Sequence, residues 1–182
     1  MMKQFKGFTL IELMMTLAIL AILMSVALPS FISLNRSSNI TSLSNSMLSS
    51  MLLARAEATK LRGTVAVCNA ASATACGGSN QDWSNGWLVY SLGTSRTNMA
   101  YDATQNDKIL ALVEAETGIT IKTNSAASQL VAFNRDGSSV SGSMASFGIC
   151  DNRGADYGRQ IQIQASGRPS VITPLDGVTC AP

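Results

Sequence analysis

The feature that most constrains this chain is a predominantly apolar run from Phe8 to Leu28, which begins almost at the N-terminus and holds one charge, Glu12. Its 21 residues, at a rise of ~1.5 Å each, would form a helix about 31 Å long, the thickness of a bilayer core. The short segment before it carries Lys3 and Lys6. Positive charge keeps a flank on the cytoplasmic side, so everything after the helix is expected across the membrane. A secretory signal is cut after its apolar stretch, at small residues. Here the suitable residue, Gly7, stands before the stretch. The expected cut therefore releases 1–7 and leaves the apolar helix 8–28 on the mature protein.

Glu12 is costly in that setting. A carboxylate in a membrane helix is unfavourable by roughly 2.5–3.5 kcal/mol on insertion scales and is usually found with a partner. The run Lys6-Gly7-Phe8-Thr9-Leu10-Ile11-Glu12 resembles the class III prepilin signal of type IV pilins and type II secretion pseudopilins. The resemblance implies that a prepilin peptidase cuts between Gly7 and Phe8 and methylates the new amino group of Phe8. It also implies that Glu12 serves assembly, meeting the Phe8 amino group of a neighbouring subunit. Pro29, directly after the apolar run, falls where pilins place a helix-disturbing proline, and a kink is expected there.

Beyond Pro29 the helix is expected to continue to Arg62. Ile40, Leu43, Met47, Met51, Ala54, Ala58 and Leu61 recur at steps of three and four, forming one apolar stripe. Ser42, Ser44, Asn45, Ser49 and Lys60 would make the polar face, with Gly63 as the stop. The segment 29–62 is thus the amphipathic half of the same helix, and its stripe reads as core. From 63 to 182 the pattern changes to short strands: Thr64–Cys68, Trp87–Tyr90, Ile109–Val113, Ile119–Ile121, Leu130–Phe133 and the alternating Gln160–Gln164. Turn signals at Asn85-Gly86, Asp136-Gly137 and Asp176-Gly177 separate them. Ala70–Gln81 reads as a loop. The expected class is α+β: a long N-terminal helix packed against an antiparallel head of one sheet or two.

Composition narrows the chemistry. The chain has no histidine, which removes the commonest general base and metal ligand and every triad built on histidine. No nucleotide loop, metal-binding helix motif or nucleophile elbow is present, and Glu114 with Glu116 read as a solvated face. No enzyme activity, cofactor or metal is expected. Cys68, Cys76, Cys150 and Cys180 are four in number and widely spaced behind a membrane-targeting segment. They read as two disulfides in an oxidising compartment. Three pairings are open, and Cys68–Cys76 with Cys150–Cys180 is favoured because each closes a local segment.

The head resembles the GspH/FimT/FimU group of pilin-like proteins. The residues that carry this are Ala54-Arg55-Ala56-Glu57-Ala58, Val65-Ala66-Val67-Cys68, Trp83, Gly86-Trp87-Leu88-Val89, Phe133-Asn134-Arg135-Asp136-Gly137 and Gly167-Arg168. Trp83 and Trp87 are expected in the core. The resemblance implies a FimU-like minor pilin, anchored in the bacterial inner membrane by a single pass with a periplasmic head. It would then join other minor pilins and the major pilin to prime a fibre and sit at its tip. Two alternatives stand beside it. One is a GspH-like pseudopilin assembling with other pseudopilins in type II secretion. The other is a FimT-like DNA receptor for transformation. Such DNA-binding members carry Gly-Arg-x-Arg near the C-terminus, whereas this chain has Gly167-Arg168-Pro169-Ser170 and so only Arg168 as a DNA contact. From Gly63 onward seven Lys plus Arg face nine Asp plus Glu, the wrong sign for phosphate binding.

Overall fold

The computed structural model describes residues 7–77, 81–93, 98–114, 116–123, 129–173 and 175. The chain divides into two compact units, Met1–Ser38 and Asn39–Pro182. In the first unit the described residues from Leu10 onward belong to one helix, α1, which runs Leu10–Leu61 and therefore reaches into the second. Pro29 stands inside α1 and not at its end. Having no N–H, it deprives the carbonyl four residues earlier, at Ser25, of its helical donor. The apolar side chains of this unit are exposed, among them Leu13, Leu17, Leu20, Leu23 and Val26. Its hydroxyls are turned onto their own backbone: Thr16 donates to the Leu13 carbonyl at 2.9 Å and Ser25 to that of Ile22 at 2.7 Å. That internal bonding lets polar residues sit in an apolar helix without an unsatisfied group.

The second unit contains two antiparallel sheets. The first holds β1 (Val65–Ser72), β2 (Ala75–Cys76), β3 (Gly86–Ser91), β4 (Lys108–Glu114) and β6 (Leu130–Phe133). In this sheet β1 is central, pairing with β2, β3 and β6, and β4 adds outside β3. The second sheet has the order β5-β7-β8-β9, from β5 (Ile119–Thr123), β7 (Ala145–Asp151), β8 (Arg159–Ile163) and β9 (Pro169–Ile172). One core joins them. Ile40, Met47, Met51, Ala54 and Ala58 of α1 cluster with Val65, Val67 and Val89 of the first sheet and with Phe147, Ile149, Ile161 and Ile163 of the second. Trp83 packs edge-on against Phe147, their centroids 4.8 Å apart. A smaller cluster lies on the other face of the first sheet, around Ala66, Cys68, Leu88 and Tyr90. This explains why residues 65–70 are buried without alternation: a strand covered on both faces has no polar side to show.

Two features of the amphipathic stripe differ from the expectation. Ser44, assigned to the polar face, is buried, and its hydroxyl donates to the Ile40 carbonyl at 2.6 Å. A hydroxyl satisfied one turn back can enter a core at little expense. Leu61, assigned to the stripe, is half exposed because α1 ends there. The end itself is a Schellman turn: Gly63 N–H bonds the Ala58 carbonyl at 3.2 Å and Arg62 N–H that of Thr59 at 3.4 Å. Arg62, and not Gly63, takes the left-handed conformation, with φ 52°. A side chain is disfavoured there. Arg62→Gly is therefore expected to stabilise the protein by about 0.5–1 kcal/mol, read as a higher urea midpoint; a lower midpoint would show that the Arg62 side chain contributes more than its backbone strain removes.

The expected loop Ala70–Gln81 is partly a hairpin, since β1 extends to Ser72 and β2 returns with Cys76 opposite Ala70. Cys68 and Cys76 form a disulfide with their Cα atoms 5.7 Å apart. Cys150 is also disulfide-bonded; its expected partner Cys180 lies outside the described residues, as do the leader residues 1–6 and the Asp176-Gly177 turn signal.

Candidate functional site

The N-terminal segment is built around one local device. Thr9 precedes the first residue of α1, and Glu12 is the third residue of that helix. The Thr9 N–H and hydroxyl both donate to Glu12 Oε2 at 3.0 Å, while the Glu12 N–H donates to Thr9 Oγ1 at 3.3 Å. This is a reciprocal capping box, which satisfies donors that the helix itself leaves open. Glu12 thus has a role within its own chain, as the partner of Thr9 at the helix start. The Thr-x-x-Glu spacing just ahead of an apolar run was the signal for it. Gly7 and Phe8 lie immediately outside the helix, both exposed. A Cβ built on Gly7 would meet nothing within 4 Å, so nothing in this fold demands glycine there.

In the head, three stretches separated in sequence converge. Arg55 Nε donates to the Gly137 carbonyl at 3.0 Å. Ser139 N–H bonds the Ala165 carbonyl at 3.0 Å, tying the Asn134–Ser138 turn to the β8–β9 turn. Gly167, with φ 75°, lies so close that a Cβ there would overlap the Gly137 carbonyl. Arg168, which follows this contact, and Arg135, which precedes it, are both exposed. Arg62 and Arg135 line one open cleft of about 530 Å³ with Leu61, Thr64, Leu92 and Asn134. Asp136 follows Arg135 in the chain, and hydrogen bonds from Ser138 hold its carboxyl below the usual range, so it stays charged and offsets that cation. Arg153 is occupied elsewhere: it pairs with Asp151 at 2.8 Å and lies 4.4 Å over the Tyr157 ring. Arg159 opens β8 opposite Ile149, whereas Arg168 follows that strand's other end. The arginines of the second sheet are therefore divided between its two ends.

Trp83 and Trp87 are fully buried, which removes them as ring platforms for a ligand. Asp82 pairs with Lys122 at 2.9 Å and fastens the segment before β3 to β5. Partial burial pushes the Asp82 carboxyl up, but hydrogen bonds from Ser84 and Lys122 outweigh it and the net shift is downward. A depressed carboxylate stabilises the fold at neutral pH and loses that effect as pH falls through its folded value. Among the described residues no group of three or more Cys, Asp or Glu side chains is arranged to hold a metal.

An exposed apolar N-terminal helix and a β-rich head packed on that helix's second half define a pilin-like protein. The model of the prokaryotic N-terminal methylation motif matches residues 2–28, and that of type II transport protein GspH matches residues 43–167. The chain belongs to the GspH family. No curated protein matches it. Two crystal forms of the type IV minor pilin FimU from Pseudomonas aeruginosa share the fold. The first, at 20% identity and a TM-score of 0.59, aligns over 78% of this chain and 99% of the other. The second, also at 20% identity, has a TM-score of 0.61 over 79% and 96%. The α+β architecture expected from the sequence is the one observed, with two sheets where one or two were open. Family and fold are those of structural subunits of type IV pilus or type II secretion systems.

Proposed function

We propose that this chain is a minor type IV pilin, cut after Gly7 and N-methylated on Phe8, that primes fibre assembly and sits in the tip complex. Before assembly it is held in the inner membrane by residues 8–28 with its head in the periplasm. The observation that carries the reading is the N-terminal segment: an exposed apolar helix whose one acid, Glu12, stands four residues after Phe8, behind a glycine the fold does not need. A requirement for glycine at that position would come from another molecule, here the prepilin peptidase. The likeness to FimU favours a pilus subunit over a pseudopilin. Removing the gene should abolish or sharply reduce piliation, and the protein should appear in sheared fibres at far lower abundance than the major subunit. Normal pili with a loss of protein secretion would make the GspH-like pseudopilin reading primary.

The DNA-receptor reading draws on Arg168 and on Arg62 and Arg135, the last two of which line one cleft. Against it stand Asp136 beside Arg135 and the excess of acidic residues from Gly63 onward. Duplex DNA should bind weakly at physiological salt, and any binding should collapse as salt rises. Tight binding lost on Arg168→Ala would reverse the preference.

A further inference from the structure

Among the described residues the sheets of the head treat their edges differently. The outer edge of β6 is occupied by Val140, whose N–H bonds the Ala132 carbonyl at 2.9 Å. The outer edge of β5 takes Trp83 N–H on the Ile121 carbonyl at 2.9 Å and gives Ile121 N–H to Ser84 Oγ at 2.9 Å. Strand β9 begins on Pro169 and spans only four residues; a proline at an edge blunts it against further pairing. Strand β4 has seven residues and pairs with β3 alone. Among the described residues no other backbone group bonds it. Its Ile109, Leu110 and Leu112 are each more than a third exposed. A long, apolar, unpaired edge is a liability that proteins usually suppress, unless a partner strand covers it.

The surroundings of β4 fit a partner strand. At one end a cleft of about 400 Å³ is lined by Lys108 and Leu110 together with Glu57 and Leu61. At the other a cleft of about 130 Å³ is lined by Leu112 and Glu114 together with Ala71 and Ala73. The β3–β4 ladder skips Leu110, a bulge that changes the alternation of faces. Ala111 and Val113 pack on the main core, while Leu112 stands opposite Leu88 of the second cluster, so the two clefts open on different faces of the edge. Strand addition takes affinity from the backbone ladder and selectivity from pockets that receive alternate side chains. The strand also has polarity: Lys108 and Glu114 are exposed at its opposite ends.

We infer that the open edge of β4 is a docking strand, which receives in antiparallel pairing an extended apolar segment of a neighbouring pilin-like subunit, with an acid opposite Lys108 and a base opposite Glu114. The identity of the neighbour rests on the proposed function; the edge and its polarity do not. A capped peptide copying residues 108–114 meets the stated chemistry, because when it lies antiparallel its glutamate faces Lys108 and its lysine faces Glu114. The test measures its binding to the full-length mature protein in detergent micelles. A second peptide with the terminal lysine and glutamate exchanged has identical composition and controls for micelle partitioning. The copy should bind about fivefold to tenfold more tightly than the exchanged peptide, since opposite charges across a strand pair attract and like charges repel. Its binding should slow amide exchange along β4. On the double variant Lys108→Glu with Glu114→Lys, at two exposed positions that leave the core untouched, the preference should reverse. No binding of either peptide, equal binding of both, or an unchanged preference on the double variant would each overturn the inference. None of these results would bear on leader processing or piliation, which are assayed separately.

Discussion

Glu12→Ala should insert into the membrane, lose its leader and then fail to enter the fibre. The carboxylate has two roles to separate. Within the chain it caps the helix through Thr9. On the proposed function it also meets the methylated amino group of Phe8 on a neighbour as subunits pack together, which relieves a charge that is unfavourable in lipid by roughly 2.5–3.5 kcal/mol. Glu12→Gln distinguishes them. Glutamine can close the same capping box but carries no charge. If assembly depends on the charge, the Gln and Ala variants should be equally absent from sheared fibres, with incorporation reduced at least tenfold, while both persist as processed membrane protein. Normal incorporation of the Gln variant would assign Glu12 to capping alone.

The largest effect on stability should come from Trp83→Ala. Trp83 is fully buried and its ring sits edge-on to Phe147, while its backbone N–H, which alanine would keep, bonds the Ile121 carbonyl at 2.9 Å. It therefore links the segment before β3, the second sheet and the common core. Truncation removes the ring from contact with both and leaves a void that the sheets cannot close without moving. The expected loss is about 3–5 kcal/mol, a large part of the stability of a domain this size. Chemical unfolding of the mature protein checks it; a loss under about 1 kcal/mol would mean the core repacks around the missing ring.

The elements legible in the sequence are those in which residue type and period agree. The stripe Ile40–Ala58 holds its spacing through five turns because every third or fourth side chain meets the sheets. Leu130–Phe133 and the alternating Gln160–Ile163 fall on β6 and β8 for the same reason. Strand β7 was not legible, although it is central to the second sheet and wholly buried. Its Ala145, Ser146 and Gly148 carry little β-propensity, and it forms because β5 and β8 flank it, so tertiary context decides. Strand β9 was hidden by Pro169, which an edge position tolerates. At the N-terminus, the resemblance to a prepilin signal brought Gly7, Phe8 and Glu12 forward, while Thr9 went unassigned although its Thr-x-x-Glu spacing ahead of the apolar run signals a capping box. In the head, the scattered Arg55, Gly137 and Gly167 gain a common purpose only in three dimensions, where close backbone approach leaves no space for a Cβ at Gly167.

The central claim is that the mature protein begins at Phe8 and enters an assembly through the helix that follows. Intact-mass and peptide mass spectrometry of protein isolated from membranes tests it most directly. The N-terminal residue should be Phe8 carrying one methyl group, and Gly7→Val should leave an uncut precursor in the membrane. An N-terminus at Met1, or one created after Leu28, would contradict the account.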